Sequence, residues 1–136
     1  MWQKVVCGSS GGISATELWV NTNPSAGLGA TTITLSGDMT NYDYLKVTYL
    51  AASSVALEGE DIVSVEKFIA YGSGTSNASP KFAIGKTGTA SDDQYVRFIT
   101  YASNTSVETT TGRKVGASNT STNACIPIKI EGLKVQ

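Results

Sequence analysis

An all-β fold, an antiparallel β-sandwich or jelly-roll-like barrel of about eight or nine strands, is what three features of this 136-residue sequence predict. Apolar residues recur with period two in segment after segment, the pattern of a strand with one face in a core and the other in water. These segments follow one another at roughly 8–12-residue spacing, divided by stretches of Gly, Pro, Asn and Ser that favour turns. No window carries a convincing helical stripe. Ala51 to Asp61 has some helix-forming composition, but the Ser53-Ser54 pair and Gly59 weaken it, and a long loop is the better reading.

Residues 1–16 read as an N-terminal attachment segment, in which Trp2, Val5 and Val6 form a short apolar patch ahead of the flexible linker Gly8-Ser-Ser-Gly-Gly12. Residues 17–136 then form the β domain. Glu17 to Asn21 is short and β-prone, and Asn23 to Gly29 is a turn-rich loop. Thr31 to Ser36 alternates, with Ile33 and Leu35 facing inward. Tyr44 to Ala52 is the strongest internal strand, since Leu45, Val47 and Tyr49 share one parity against Tyr44, Lys46 and Thr48. Ile62 to Tyr71 is another long strand candidate, and Lys81 to Lys86 a shorter one with Phe82 and Ile84 together. In Gln94 to Tyr101, Tyr95, Arg97, Ile99 and Tyr101 alternate against Val96, Phe98 and Thr100. The closing strand, Cys125 to Gln136, sets Ile126, Ile128 and Ile130 toward the core and Pro127, Lys129 and Glu131 toward water, and its run to the last residue leaves no C-terminal tail.

Composition narrows the function classes. A net charge of −1 with basic residues mostly scattered singly argues against a nucleic-acid binder, which needs clustered Lys and Arg. No apolar run reaches membrane-spanning length, and Met-Trp-Gln-Lys lacks the apolar core of a signal peptide. Without such a peptide, Cys7 and Cys125 read as buried thiols rather than a disulfide. Histidine is absent, which removes the commonest general base and metal ligand together. The sequence therefore predicts no enzyme, no catalytic residue, no resident metal and no cofactor.

The remaining motifs are weak. Gly85-Lys86-Thr87 ends like a phosphate-binding loop, but Pro80 stands where the first glycine is required. Glu58 with Glu60-Asp61, and Asp92-Asp93, offer carboxylates to a cation or to acid–base chemistry, against which stands ordinary solvated loop charge. The tyrosines offer stacking platforms for a sugar, against ordinary sheet packing. Tyr71 and Tyr95, near loops, are the better candidates, and with Asp92 and Asp93 they make up the expected receptor-binding set.

Glu17-Leu-Trp-Val-Asn-Thr-Asn-Pro24, Thr31-Thr-Ile-Thr-Leu-Ser36 and Asn41-Tyr-Asp-Tyr-Leu-Lys-Val-Thr-Tyr49, with the close Cys125-Ile-Pro-Ile-Lys-Ile-Glu-Gly132, resemble a small β module of phage and prophage tail-fibre, baseplate and head-fibre (decoration) proteins. Trp2-Gln-Lys-Val5 with its Gly/Ser linker is similar to what precedes that module. The likeness covers both ends and leaves about residues 50–120 unmatched. It implies a virion component, assembled in the host bacterial cytoplasm and displayed on the particle as a homotrimer. Trp2, Val5 and Val6 would attach it to other virion proteins of capsid or tail, and its outer loops would touch a host surface glycan. Because the module begins almost at Met1, a head fibre, a decoration protein or a separately encoded tip is implied. A purely architectural capsid decoration protein without a host ligand is the alternative. Apolar residues on both parities at 62–71 and 94–101 suggest subunit contacts, or else a wide core within a monomer.

Overall fold

The computed structural model describes residues 12–52, 55–71, 82–87 and 94–136, with the side chains of 52, 55–57, 86 and 87 left aside. Trp2, Val5, Val6 and Cys7, and the connections 72–80 and 88–93 with Asp92 and Asp93, lie outside the described residues.

The order of elements is β1 (Ile13–Val20), β2 (Thr31–Thr34), β3 (Tyr44–Ala52), β4 (Val55–Ser64), α1 (Val65–Tyr71), β5 (Phe82–Thr87), β6 (Gln94–Ser103), β7 (Ser106–Thr109), β8 (Gly112–Lys114), β9 (Thr120–Ser121) and β10 (Ala124–Val135). Single 3-10 turns at Pro24–Ala26 and Met39–Asn41 punctuate the early connections. The strands make two antiparallel sheets. The first has the order β1-β10-β3-β4. The second runs β2-β7-β6-β8-β9, with β5 on the other edge of β6. No helix among the described residues is long and apolar enough to cross a membrane.

The all-β class stands, and the alternation explains the core between the sheets. Leu45, Val47 and Tyr49 of β3 are buried, while Tyr44 on the opposite parity is exposed. Ile33, Ile84, Ile99 and Val107 close the core from the second sheet, and Leu35 and Met39 seal its end. Trp19 and Tyr95 pack against this cluster half-buried. β1 begins at Ile13, four residues ahead of the Glu17 start the pattern indicates, and pairs with β10 as far as Ile13↔Val135.

Three expectations need correction. Ile62 to Tyr71 is not one strand: β4 ends at Ser64 and Val65–Tyr71 is helical. Ser64 Oγ accepts from the Lys67 amide at 3.2 Å, which caps the helix start. Val65, Phe68 and Ile69 have helical spacing, and Phe68 sits edge-on between Phe82 and Tyr101, with centroids 6.3 Å from each. Next, Ala51 to Asp61 is not a long loop but the end of β3 and most of β4, with residues 53–54 between them. Finally, Ile128 does not seal the core. The β10–β3 register shifts between Pro127 and Lys129, so Pro127 is fully buried and Ile128 only half so, while Ile126 and Ile130 are buried. A bulge inserts one residue and flips the parity, and proline, with no N–H to donate, suits that site.

Arg97 is the largest fully buried side chain. Its parity with Tyr95 and Ile99 carries the guanidinium inward, where backbone carbonyls rather than a carboxylate receive it. Nε donates to Ala124 (2.9 Å), Nη1 to Thr110 (2.7 Å), and Nη2 to Leu28 (2.7 Å) and Thr122 (3.1 Å). Burial pushes its pKa down to about 10, partly opposed by Cys125, so it stays charged at neutral pH. Cys125 is buried in a left-handed conformation, φ 49°, and its thiol donates to the Tyr95 carbonyl at 3.1 Å.

Two tyrosine rings lie flat on glycines of neighbouring strands. A Cβ on Gly59 would sit 2.8 Å from the Tyr49 ring, and one on Gly132 would sit 2.5 Å from that of Tyr42. The Tyr49 hydroxyl lies 2.9 Å from both Asp61 Oδ2 and the Gly85 carbonyl, and its one proton serves either acceptor. Burial first, then the Asp61 carboxylate, raise its pKa far above the usual tyrosine range. Folded Tyr49 therefore keeps its proton as pH climbs past ~10 while the unfolded chain loses it, so stability present below that pH falls above it. Unfolding Tyr49→Phe in urea at pH 8 and at pH 11 will show a smaller alkaline loss than wild type. An equal loss in both proteins would remove Tyr49 as its source.

Candidate functional site

The outward parity of β6 builds a surface from residues that sheet packing does not use. Register places Val96 beside Gly85 and Arg113, Phe98 beside Ala83, and Thr100 beside Glu108. Glu108 in turn faces Thr32 of β2. Because β5 sets Gly85 beside Val96 and Ala83 beside Phe98, no large side chain among the described residues walls them off on that side.

On the other side β8 and its following turn rise to form a shallow groove of about 650 Å³, lined by Val96, Phe98, Arg113, Lys114, Val115, Gly116, Ala117 and Ser118. Arg113 and Val115 are exposed, Val96 and Phe98 half-buried. The turn is held by Val115 N–H donating to Gln94 (2.8 Å) and Lys114 N–H to Asn119 (3.0 Å), and Gly116 supplies a φ of 78°. A second depression of about 360 Å³ adjoins along the same strand, lined by Ala30, Thr31, Thr32, Thr100, Glu108 and Thr109–Thr111. Thr110 joins the two, since its Oγ1 accepts from the Phe98 amide at 3.1 Å.

An apolar floor, two cations, a row of hydroxyls and an open roof suit a chain of sugar rings. The C–H faces of a pyranose pack on Phe98 and Val96, threonines exchange hydrogen bonds with hydroxyls, and a guanidinium takes a carboxylate or phosphate in paired hydrogen bonds. Among the described residues, no acidic side chain lines the larger groove.

Of the expected receptor-binding residues, the two that are described, Tyr71 and Tyr95, fall elsewhere. Tyr71 ends α1 and is 52% exposed, whereas Tyr95 turns inward from β6 against the core. The two share no surface, and Asp92 and Asp93 lie outside the described residues. Glu58 and Glu60 stand opposite Leu50 and Thr48 on the outer face of the first sheet, but Asp61 stands opposite Val47 on the core side. Alternation thus separates the carboxylates that adjacency brought together, and no metal-ligating group of three or more forms among the described residues. Gly85-Lys86-Thr87 is extended strand within β5. The residues missed are Val96, Phe98 and Arg113. Their signal was the apolar second parity of 94–101 and, separately, the one basic pair, Arg113-Lys114, which only the pairing of β8 with β6 brings together.

No protein-family model matches the chain, and no curated protein matches it.

Proposed function

We propose that this chain is a non-enzymatic structural protein of a bacteriophage particle, displayed at a tail fibre, fibre tip or head fibre, and that its second sheet adheres to an acidic glycan of the host surface. The groove over Val96 and Phe98 with Arg113 at its wall carries the adhesion reading. The likeness of residues 17–49 and 125–132 to phage fibre modules supports the particle. An open groove of this size makes weak single-site contacts, and several copies on one particle turn them into firm attachment.

The test is titration of the protein, coupled in many copies to beads, with uronate-rich, phosphate-bearing and neutral polysaccharides. Binding will favour the acidic polymers and weaken with salt. Arg113→Ala will lower the single-site affinity by roughly tenfold or more, as loss of a charge-assisted hydrogen bond does. Retention of acidic polymers by the Arg113→Ala protein at wild-type strength, or of none by wild type, would refute adhesion through this groove.

A further inference from the structure

Seven large hydrophobic side chains stay exposed among the described residues, and five of them share the outer face of the first sheet: Ile13 (62%), Ile62 (56%), Val135 (51%), Val20 (42%) and Tyr44 (38%). Their grouping follows from register. Ile13 lies level with Val135, and Ala15, Leu133, Tyr44 and Ser64 form the next row across the four strands. Glu17, Glu131, Lys46 and Ile62 form the row after that. Val20, Lys129, Thr48 and Glu60 follow. Lys46 Nζ lies 3.4 Å from Glu131 and 3.5 Å from Glu60, and Lys129 Nζ lies 3.7 Å from Glu131. The face is thus apolar at one end and charged with both signs in the middle.

We propose that this face pairs two copies of the chain about a two-fold axis running along the strands between β10 and β3. That axis lays β10 of one copy on β3 of the other and β1 on β4, and it keeps every row level with itself. Tyr44 of the second copy then covers Leu133, which is itself only 7% exposed. Glu131 meets Lys46, closing a square of alternating charge, and Glu17 meets Ile62. An axis across the strands would instead set the Leu133–Tyr44 row against the Lys129–Glu60 row, apolar against charged. That axis would also set Glu131 on Glu131 and Lys46 on Lys46, whereas the first joins opposite charges at the centre and leaves Glu17 on Ile62 and Val20 on Glu60 at the rim, so charge complementarity makes a second copy in that arrangement the occupant.

Four strands about 4.8 Å apart over about seven residues give roughly 450 Å² of flat sheet per copy. This sits below the ~800 Å² per partner of a standard interface, so the pair will be concentration-dependent. Two-fold pairing differs from the trimer that the fibre likeness implies, and it does not rest on the glycan groove.

Sedimentation equilibrium of the full chain from about 1 to 500 µM tests it, with folding of each variant checked by circular dichroism. Wild type will fit monomer and dimer. Ile62→Glu sets a carboxylate against Glu17 of the second copy, twice per dimer, and will weaken pairing about tenfold or more. Ile62→Lys sets an ammonium there and will stay within about threefold of wild type. Thr120→Glu, exposed on β9 of the other sheet, will leave the pairing constant unchanged. A monomer throughout, a trimer, or equal weakening by Ile62→Glu and Ile62→Lys would overturn the proposal. None of these outcomes bears on Arg113 and the polysaccharide titration.

Discussion

Arg97→Leu will destabilise the fold by about 4 kcal/mol, read as a lowered urea midpoint at unchanged slope. The guanidinium satisfies four carbonyls from separate parts of the chain: Leu28 ahead of β2, Thr110 between β7 and β8, Thr122 in the turn before β10, and Ala124 in β10 itself. Leucine fills much of the volume and donates nothing. Thr122 and Thr110 keep the Leu28 amide and the Thr109 hydroxyl as donors, so a desolvation cost of ~1–3 kcal/mol each falls mainly on the Leu28 and Ala124 carbonyls, offset by release of the buried charge. Against a typical total of ~5–15 kcal/mol, a loss of this size brings the domain close to unfolding. Arg97→Lys will recover only part of it. An ammonium holds three donors at one point and cannot fan out to carbonyls spread around a planar fork. Hydrogen exchange will rise first at the segments around Leu28 and Thr122. A midpoint shift worth less than about 1 kcal/mol for Arg97→Leu would mean that water reaches those carbonyls and the clamp is incidental.

Gly132→Val is the second large effect, expected at about 3 kcal/mol. Glycine in the middle of a strand paired on both sides is normally a weakness, and here the Tyr42 ring occupies the space a side chain would take. The ring has little room to retreat. Its own amide donates to Met39 at 3.0 Å, and the Asp43 amide donates to Leu133 at 2.8 Å, which pins the backbone on both sides of Cα. The double mutant with Tyr42→Ala tests the cause. If the clash is the mechanism, adding Gly132→Val to the Tyr42→Ala protein will cost far less than adding it to wild type. Additive losses would place the damage in the ladder instead.

How far the fold was legible depends on whether one period held through a segment. In β3 it did, and Leu45, Val47 and Tyr49 went inward as alternation requires. Arg97 followed the same rule, although parity gives no hint that backbone carbonyls would receive its charge. At Ile62 to Tyr71 the apolar residues change period from two to three-and-four within ten positions. Seven helical residues are too few to stand out from a strand by pattern alone. In β10 the pattern stayed clean while the structure broke it, because a bulge is a decision of pairing partners far away in sequence. The candidate groove was half legible. Apolar residues on both parities of β6 showed that its second face was in use, but aromatic type and loop proximity pointed to Tyr95, which packs inward. Phe98 gains its surface from Gly85 and Ala83, whose smallness matters only once β5 lies beside it.

The pairing of β1 with β10 brings residues 12 and 136 together, the Gln136 amide donating to Gly12 at 3.0 Å. The Val96–Arg113 groove lies toward the opposite end of the sandwich, where Cys125 at the start of β10 touches Tyr95. These positions fix how the domain bears mechanical load. Drawn apart at 12 and 136, the two strands peel rung by rung, with one hydrogen bond resisting at a time. Held at residue 12 and pulled through a ligand in the groove, β1 is loaded lengthwise, and all its rungs to β10 share the shear together. The same ladder is a zipper in one direction and a tether in the other, and only the second would carry load between an anchorage ahead of residue 12 and the glycan proposed for the groove.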